Sequence, residues 1–243
     1  MTDFLTADRK PNFQVGEVIL IDKPTDWTSF DVVNFIRSLI KRFYGIGKLK
    51  VGHAGTLDPL ATGLLILCTG KQTKQIDNYQ GMDKIYEGTM QLGITTPTYD
   101  LESKPDAHFF VDTITPERIE QVRKQFIGVI EQIPPIYSAI KIDGKRAFDY
   151  ARKKEDVKLT PRPIRINEFT VDTTNFPELS FYVNCSKGTY IRSLVHDFGK
   201  ALQNGACMTS LRRTQIGDFL IENAWKIEDL KKLIIDSSKQ LET

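Results

Sequence analysis

Apolar positions in this chain fall into two patterns, short unbroken runs and runs at helical spacing. Val18-Ile19-Leu20-Ile21 is an unbroken run that ends at Asp22-Lys23-Pro24, a turn signal. It predicts a buried strand. Leu64-Leu65-Ile66-Leu67-Cys68 is a second run and a second buried strand. Between them Val32, Val33, Ile36, Leu39, Ile40 and Phe43 recur every three or four residues, which predicts a helix. Thr28 or Ser29 can cap it, Asp31 suits its first turn and Gly45 suits its end. Residues 45–63 hold Gly45, Gly47, Gly52, Gly55 and Gly63 with an Asp-Pro step, so a loop with unusual backbone angles is expected there.

Farther along, residues 84–92 alternate weakly and predict a strand. Residues 115–127 predict a helix capped by Thr115, with Pro116 at its first position and Ile119, Val122 and Phe126 facing inward. Gln132-Ile-Pro-Pro-Ile-Tyr137 breaks regular structure, and a basic, helix-like stretch over 145–154 follows. Strands are expected at 164–172 and 179–185. A helix is expected at 189–203, with Ile191, Leu194, Val195, Phe198 and Leu202 on one face. The order is mixed rather than a regular strand–helix alternation. It predicts an α+β fold with a mixed, mainly antiparallel sheet.

Composition narrows the class. With 40% hydrophobic residues in 243, the chain can bury a real core without disulfide staples. No apolar run approaches the roughly 18 residues of a membrane span, and residues 1–15 read as a loose leader without a signal-peptide core. Cys68, Cys185 and Cys207 are odd in number and lack metal spacing, which suits reduced, buried thiols in a cytoplasmic protein. The net charge of +2 hides structure: residues 37–53 carry +5, residues 139–165 carry +5, and the rest of the chain carries −8. One charge run is ordinarily solvated surface, but two beside glycine-rich or aromatic loops point to a polyanionic partner.

The chemistry concentrates in Gly52-His53-Ala54-Gly55-Thr56-Leu57-Asp58-Pro59-Leu60-Ala61-Thr62-Gly63, a glycine-bracketed loop displaying an imidazole and a carboxylate. By local chemistry alone Asp58 reads first as a turn-former, with nucleophile, general base and metal ligand as alternatives, and His53 reads as structural. No metal is implied, since His108 and His196 are isolated and no His-x-x-x-His or Cys-x-x-Cys occurs. Thr69-Gly70-Lys71 lacks the following Ser or Thr and the preceding glycine of a phosphate loop, and no serine-hydrolase elbow is present.

GHAGTLDPLATGLL resembles the signature loop of the TruB-type family, the bacterial tRNA pseudouridine-55 synthases. Further stretches carry the resemblance in order. Ile21-Asp22-Lys23-Pro24 looks like the family's first motif, Asp83-Lys84-Ile85-Tyr86 its tyrosine motif, and Cys185-Ser186-Lys187-Gly188-Thr189-Tyr190-Ile191-Arg192-Ser193-Leu194 its arginine motif. Leu211-Arg212-Arg213-Thr214 with Gly217-Asp218-Phe219 is similar to its closing motif, and Gln132–Ala139 to the start of its RNA-gripping insertion. The matches span roughly residues 17–225.

The resemblance implies a pseudouridine-synthase fold with an insertion at about 132–163 that clamps tRNA, and a catalytic domain over 16–243 without the PUA domain of longer relatives. It implies isomerisation of uridine 55 in the tRNA T-loop. Asp58 would attack C1′ or C6, Arg192 would pair with it, and Tyr86 would stack on the flipped uracil and assist proton transfer at C5. His53 would help hold the T-loop. Lys23, Leu211 and Tyr190 would line the uridine pocket, with Lys23 near a backbone or phosphate oxygen. No cofactor is implied, because isomerisation consumes no electron, phosphate or water. A monomer is the default. Two other readings stand beside this one: an RNA-folding module that only opens the tRNA elbow, and a synthase acting on a different RNA.

Overall fold

This computed structural model describes residues 4–138, 140–142, 144–147, 150 and 159–239. The elements run β1 (Val18–Lys23), α1 (Ser29–Tyr44), β2 (Val51–His53), β3 (Thr62–Thr69), α2 (Ile76–Gly81), β4 (Lys84–Leu92), β5 (Ile94–Thr95), β6 (Ala107–His108), α3 (Pro116–Arg123), β7 (Gly128–Gln132), β8 (Lys141–Ile142) and β9 (Lys145–Arg146). They continue with β10 (Arg162–Asp172), β11 (Glu178–Cys185), α4 (Ile191–Ala201), β12 (Ala206–Ile216), β13 (Phe219–Leu220) and α5 (Ile227–Lys239). The chain divides into two compact units, residues 1–84 with 212–243 and residues 85–211.

In the first unit β1 and β3 pair antiparallel, β2 adds to β3, and the end of β12 runs parallel to β3 with Arg213 opposite Gly63. Both apolar runs are buried along their length because the strand alternation feeds two cores. Ile19, Ile21, Leu65 and Leu67 pack with Val32, Val33, Ile36 and Ile40 of α1 and Leu230 and Ile234 of α5. Val18, Leu20, Leu64, Ile66 and Cys68 pack with Tyr79, Ile216 and Phe219. A strand whose side chains have apolar partners on both faces need not alternate.

Helix α1 forms where its periodicity placed it. Thr28 is the cap, with Asp31 completing a capping box, and Gly45 closes the helix at φ 68°, in the left-handed region glycine tolerates. The turn expected at Asp22-Lys23 is instead the end of β1, since both residues pair with β3. Residues 4–16 are not a loose leader. Leu5 and Phe13 are buried, Leu5 donates to the Val18 carbonyl, and Trp225 Nε1 donates to the Leu5 carbonyl at 2.9 Å. These two anchors, with Phe4 packed edge to face on Phe219, dock the segment.

In the second unit the strand order is β12, β4, β11, β10, β7, and β10 pairs antiparallel with both β11 and β7. Phe126, Phe169 and Phe198 meet edge to face, with centroids 5.6–6.5 Å apart, and join the region of α3 to α4 over the sheet. The expected helix over 115–127 is α3 followed by one turn of 3₁₀ helix at Lys124–Phe126. The mixed, mainly antiparallel α+β architecture is the one the element order predicted. At 145–146, where a helix-like stretch was expected, Lys145–Arg146 pairs as a strand with Lys141–Ile142. Most of the expected basic helix, residues 148–149 and 151–154, lies outside the described residues.

Candidate active site

Asp58 lies in the loop between β2 and β3, and the first unit grips that loop by its main chain. Ser29 Oγ accepts from the Leu57 N–H at 2.9 Å and donates to the Leu57 carbonyl at 3.2 Å. The Pro59 carbonyl accepts from Lys23 Nζ at 3.1 Å and from the Asp26 N–H at 3.0 Å. The Asp58 carbonyl accepts from the Ala61 N–H at 3.1 Å, closing a tight turn. Both neighbours of Asp58 are thus fixed at the backbone.

The base of the loop is held by Arg213. Its guanidinium, 1% exposed, donates to the Leu64 carbonyl at 2.7 Å and the Gly55 carbonyl at 3.1 Å. Gly63 is required here: it sits at φ 104°, and a Cβ would stand 2.3 Å from the Arg213 carbonyl. Asp22, also buried, accepts the Arg212 fork at 3.0 and 2.8 Å and Lys226 at 2.5 Å. Arg212 in turn reaches Thr62 Oγ1 at 3.4 Å, where the loop enters β3.

Lys23 is wholly buried and donates to the carbonyls of Pro24, Trp27 and Pro59. Of the two acceptors expected for it, backbone or phosphate, it meets backbone. Burial pushes its ammonium down to about 8, and the Asp58 carboxylate pulls the other way. His53, half-buried at the end of β2, is held below the usual imidazole range by burial and by the Arg213 guanidinium.

The remaining expected site residues belong to the second unit. Arg192, 5% exposed in the first turn of α4, is held by its head group. It donates to the Thr98 carbonyl at 3.1 Å and the Tyr137 carbonyl at 2.9 Å, with Nε 3.6 Å from Asp100 Oδ2. Tyr190 caps α4. Its backbone N–H and carbonyl are both bound by the Gln132 amide, at 2.8 and 3.1 Å. Ser193 Oγ adds a bond to the Ile133 carbonyl. The irregular 132–138 segment is therefore stitched to the start of α4. Tyr86 on β4 and Leu211 on β12 are each 8% exposed.

The structure brings Lys23, His53 and Asp58 into one unit with Arg213 among them, and places Tyr86, Tyr190, Arg192 and Leu211 in the other. Sequence reasoning quoted Arg213, Asp22, Ser29 and Gln132 without assigning them work on the site. Only the paired arginines of the closing motif gave a signal. Among the described residues no group of three or more His, Cys, Asp or Glu is placed to hold a metal ion, and no helix is long and apolar enough to cross a membrane.

Comparison with known proteins fits this geometry. Residues 41–191 match the TruB family pseudouridylate synthase N-terminal domain, and residues 192–243 match the tRNA pseudouridylate synthase B C-terminal domain. The chain is 54% identical over 217 residues to the tRNA pseudouridine synthase B of Phocaeicola vulgatus, covering 89% of this chain and 92% of that one. It is 52% identical over 211 residues to that of Bacteroides fragilis, covering 87% and 91%. Among solved structures, a Cbf5-Nop10-Gar1 complex is similar at TM-score 0.68 and 29% identity, over 93% of this chain. An H/ACA RNP bound to a substrate RNA containing 2′-deoxyuridine is similar at TM-score 0.64 and 29% identity, over 90%. The chain spans about 60% and 53% of the length of those two solved chains.

Proposed function

The chain belongs to the TruB family of pseudouridylate synthases, and from that premise we propose that it isomerises uridine to pseudouridine at position 55 in the T-loop of tRNA, with Asp58 as nucleophile. The observation that carries the assignment is the backbone grip on Leu57 and Pro59, which fixes a carboxylate-bearing residue on a rigid loop. A nucleophile works best when its position is set before substrate arrives.

The atoms balance without a cofactor. Asp58 either bonds to C1′ as the N1–C1′ bond breaks or adds to C6 before that bond breaks; the uracil turns, C5 joins C1′, and the Asp58 carboxylate leaves, displaced from C1′ by C5 or eliminated from C6. C5 then loses its proton and N1 ends protonated. Tyr86 stacks on the uracil, because a flat ring holds a base while letting it turn, and assists removal of the C5 proton. Arg192 supplies the cation that orients the nucleophilic carboxylate. His53, Leu211 and Tyr190 contact the extruded nucleoside and its loop. Lys23 acts from beneath, as a strut on the Pro59 carbonyl.

A stacked uridine must leave its loop first, at a cost of a few kcal/mol. The acid-free basic segment 37–53, which includes exposed Arg37 and Lys41, offsets that cost through phosphate contacts. Affinity for tRNA should accordingly fall as salt rises. The enzyme would act as a monomer in the cytoplasm on this reading.

The test uses unmodified tRNA transcript tritiated at uridine C5, with chemical mapping of pseudouridine. Wild type should release tritium and modify position 55, and Asp58→Asn should do neither. Modification elsewhere would overturn the site. Full activity in Asp58→Asn would overturn the nucleophile.

A further inference from the structure

We propose that Tyr99 and His196 are positioning residues for Arg192, their stacked rings locking the 96–100 turn onto helix α4. The inference rests on the reading of Arg192 as part of the isomerase site.

The two rings lie 3.8 Å apart at the centroids and 13° from parallel. Their neighbours give the stack its meaning. His196 follows Arg192 by four residues on α4, so both side chains leave the same helix face one turn apart. Tyr99 sits between Thr98 and Asp100, whose carbonyl and carboxylate meet Arg192. The stack and the Arg192 clamp therefore bridge the same two elements. Of the three Arg192 partners described above, the turn presents two, the Thr98 carbonyl and the Asp100 carboxylate at 3.6 Å, so a displaced turn misplaces the guanidinium.

The turn itself shows why the ring matters. Tyr99 has φ 65°, a left-handed conformation that is unfavourable for a bulky residue. Its N–H donates to the Thr96 carbonyl at 3.2 Å, and its carbonyl accepts from the Met208 N–H at 3.0 Å. The Thr96 and Thr98 hydroxyls both donate to the Asp100 carbonyl. Glycine or asparagine would satisfy every one of these backbone bonds with less strain. The backbone alone gives no reason for a tyrosine, whereas the stack on His196 does. Burial pushes the Tyr99 phenol up and the His196 imidazole down, so two neutral rings face each other near neutral pH.

The experiment measures kcat and KM on unmodified tRNA for Tyr99→Gly, Tyr99→Phe, His196→Ala, His196→Phe and the Tyr99→Gly/His196→Ala double variant, with melting curves to confirm folding. Tyr99→Gly relieves the backbone but deletes the ring. It should lower kcat about tenfold or more with KM unchanged, since small misplacements of catalytic groups cost rate. His196→Ala should match it, and the double variant should fall no further, because either change removes the same interaction. Tyr99→Phe and His196→Phe keep two flat faces and should retain kcat. If Tyr99→Gly does not fold, the His196→Ala and His196→Phe pair decides. Wild-type kcat in His196→Ala, or losses that multiply in the double variant, would overturn the proposal. Arg192→Lys separates the two levels. Full activity there would sink the reading of Arg192 itself, while an inactive Arg192→Lys beside fully active stack variants would sink only the positioning role.

Discussion

Asp58 and Arg192 are held in opposite ways. The first unit fixes Asp58 through the main chain of its neighbours, by Ser29 on Leu57 and Lys23 on Pro59. The second unit fixes Arg192 by its own guanidinium, with two carbonyls and a buried carboxylate as partners. The difference separates chemistry from stability. A residue whose neighbours are gripped through the main chain keeps those backbone bonds when its own side chain is changed. A residue gripped by its head group loses its bonds, and its removal strands the buried groups it satisfied.

Four measurements would break or sharpen that contrast. Asp58→Asn should have the largest effect, lowering tritium release by about 10⁴-fold or more, as expected for loss of a nucleophile. Its melting temperature should stay within about 2 °C of wild type. A large drop in melting temperature would show that the loop depends on the carboxylate after all. Arg192→Ala should lower both quantities. We expect about 10²-fold or more in kcat and about 3–5 kcal/mol in denaturant-measured stability, because Asp100 and the Thr98 and Tyr137 carbonyls lose a buried partner. Unchanged stability would mean the head-group grip is ornamental.

Ser29→Ala tests the backbone grip directly. Removing the hydroxyl leaves both polar groups of Leu57 without it, at about 1–2 kcal/mol of stability. A roughly tenfold loss of kcat with KM unchanged should accompany it. The smallest effect concerns acid. Burial and the nearby Lys200 hold the His196 imidazole down, with Asp106 opposing. A lowered folded-state value means that the neutral ring's contribution is complete above the unfolded value of about 6.5 and is lost as pH falls through the folded one. His196→Phe has nothing to protonate at that position. Its melting temperature should therefore fall about 1–3 °C less than that of wild type between pH 6.5 and 5. Parallel acid limbs would place the charging elsewhere.

Much of the scaffold was legible in order along the chain. Helix α1 follows from its apolar period and from Thr28, Asp31 and Gly45, and the two apolar runs follow from unbroken hydrophobicity. These are local signals, carried by residues within a few positions of each other. Burial of Lys23 and Arg213 was not legible, because a cation is expected in water. Beyond the local Pro24 and Trp27 carbonyls, their acceptors are the carbonyls of Pro59, Gly55 and Leu64, which reach them only after folding. The docked N-terminal segment was missed for a related reason: the Phe4-Leu5 pair and Phe13 are too far apart to form a period.

The sequence by itself determined the family, through ordered motifs from the Ile21-Asp22-Lys23-Pro24 stretch to the Arg212-Arg213 pair, and with it which residues to propose for the chemistry. Only the tertiary structure decided how each is held. A motif records which side chain stands at a position. Whether that side chain reaches outward, as a binding group, or inward, as a strut, depends on which distant carbonyls and carboxylates the fold brings within hydrogen-bond range. Lys23 was expected in the pocket lining near a backbone or phosphate oxygen, and its ammonium donates to the Pro59 carbonyl. His196 was read as an isolated histidine and stacks on Tyr99 beside the residues that hold Arg192.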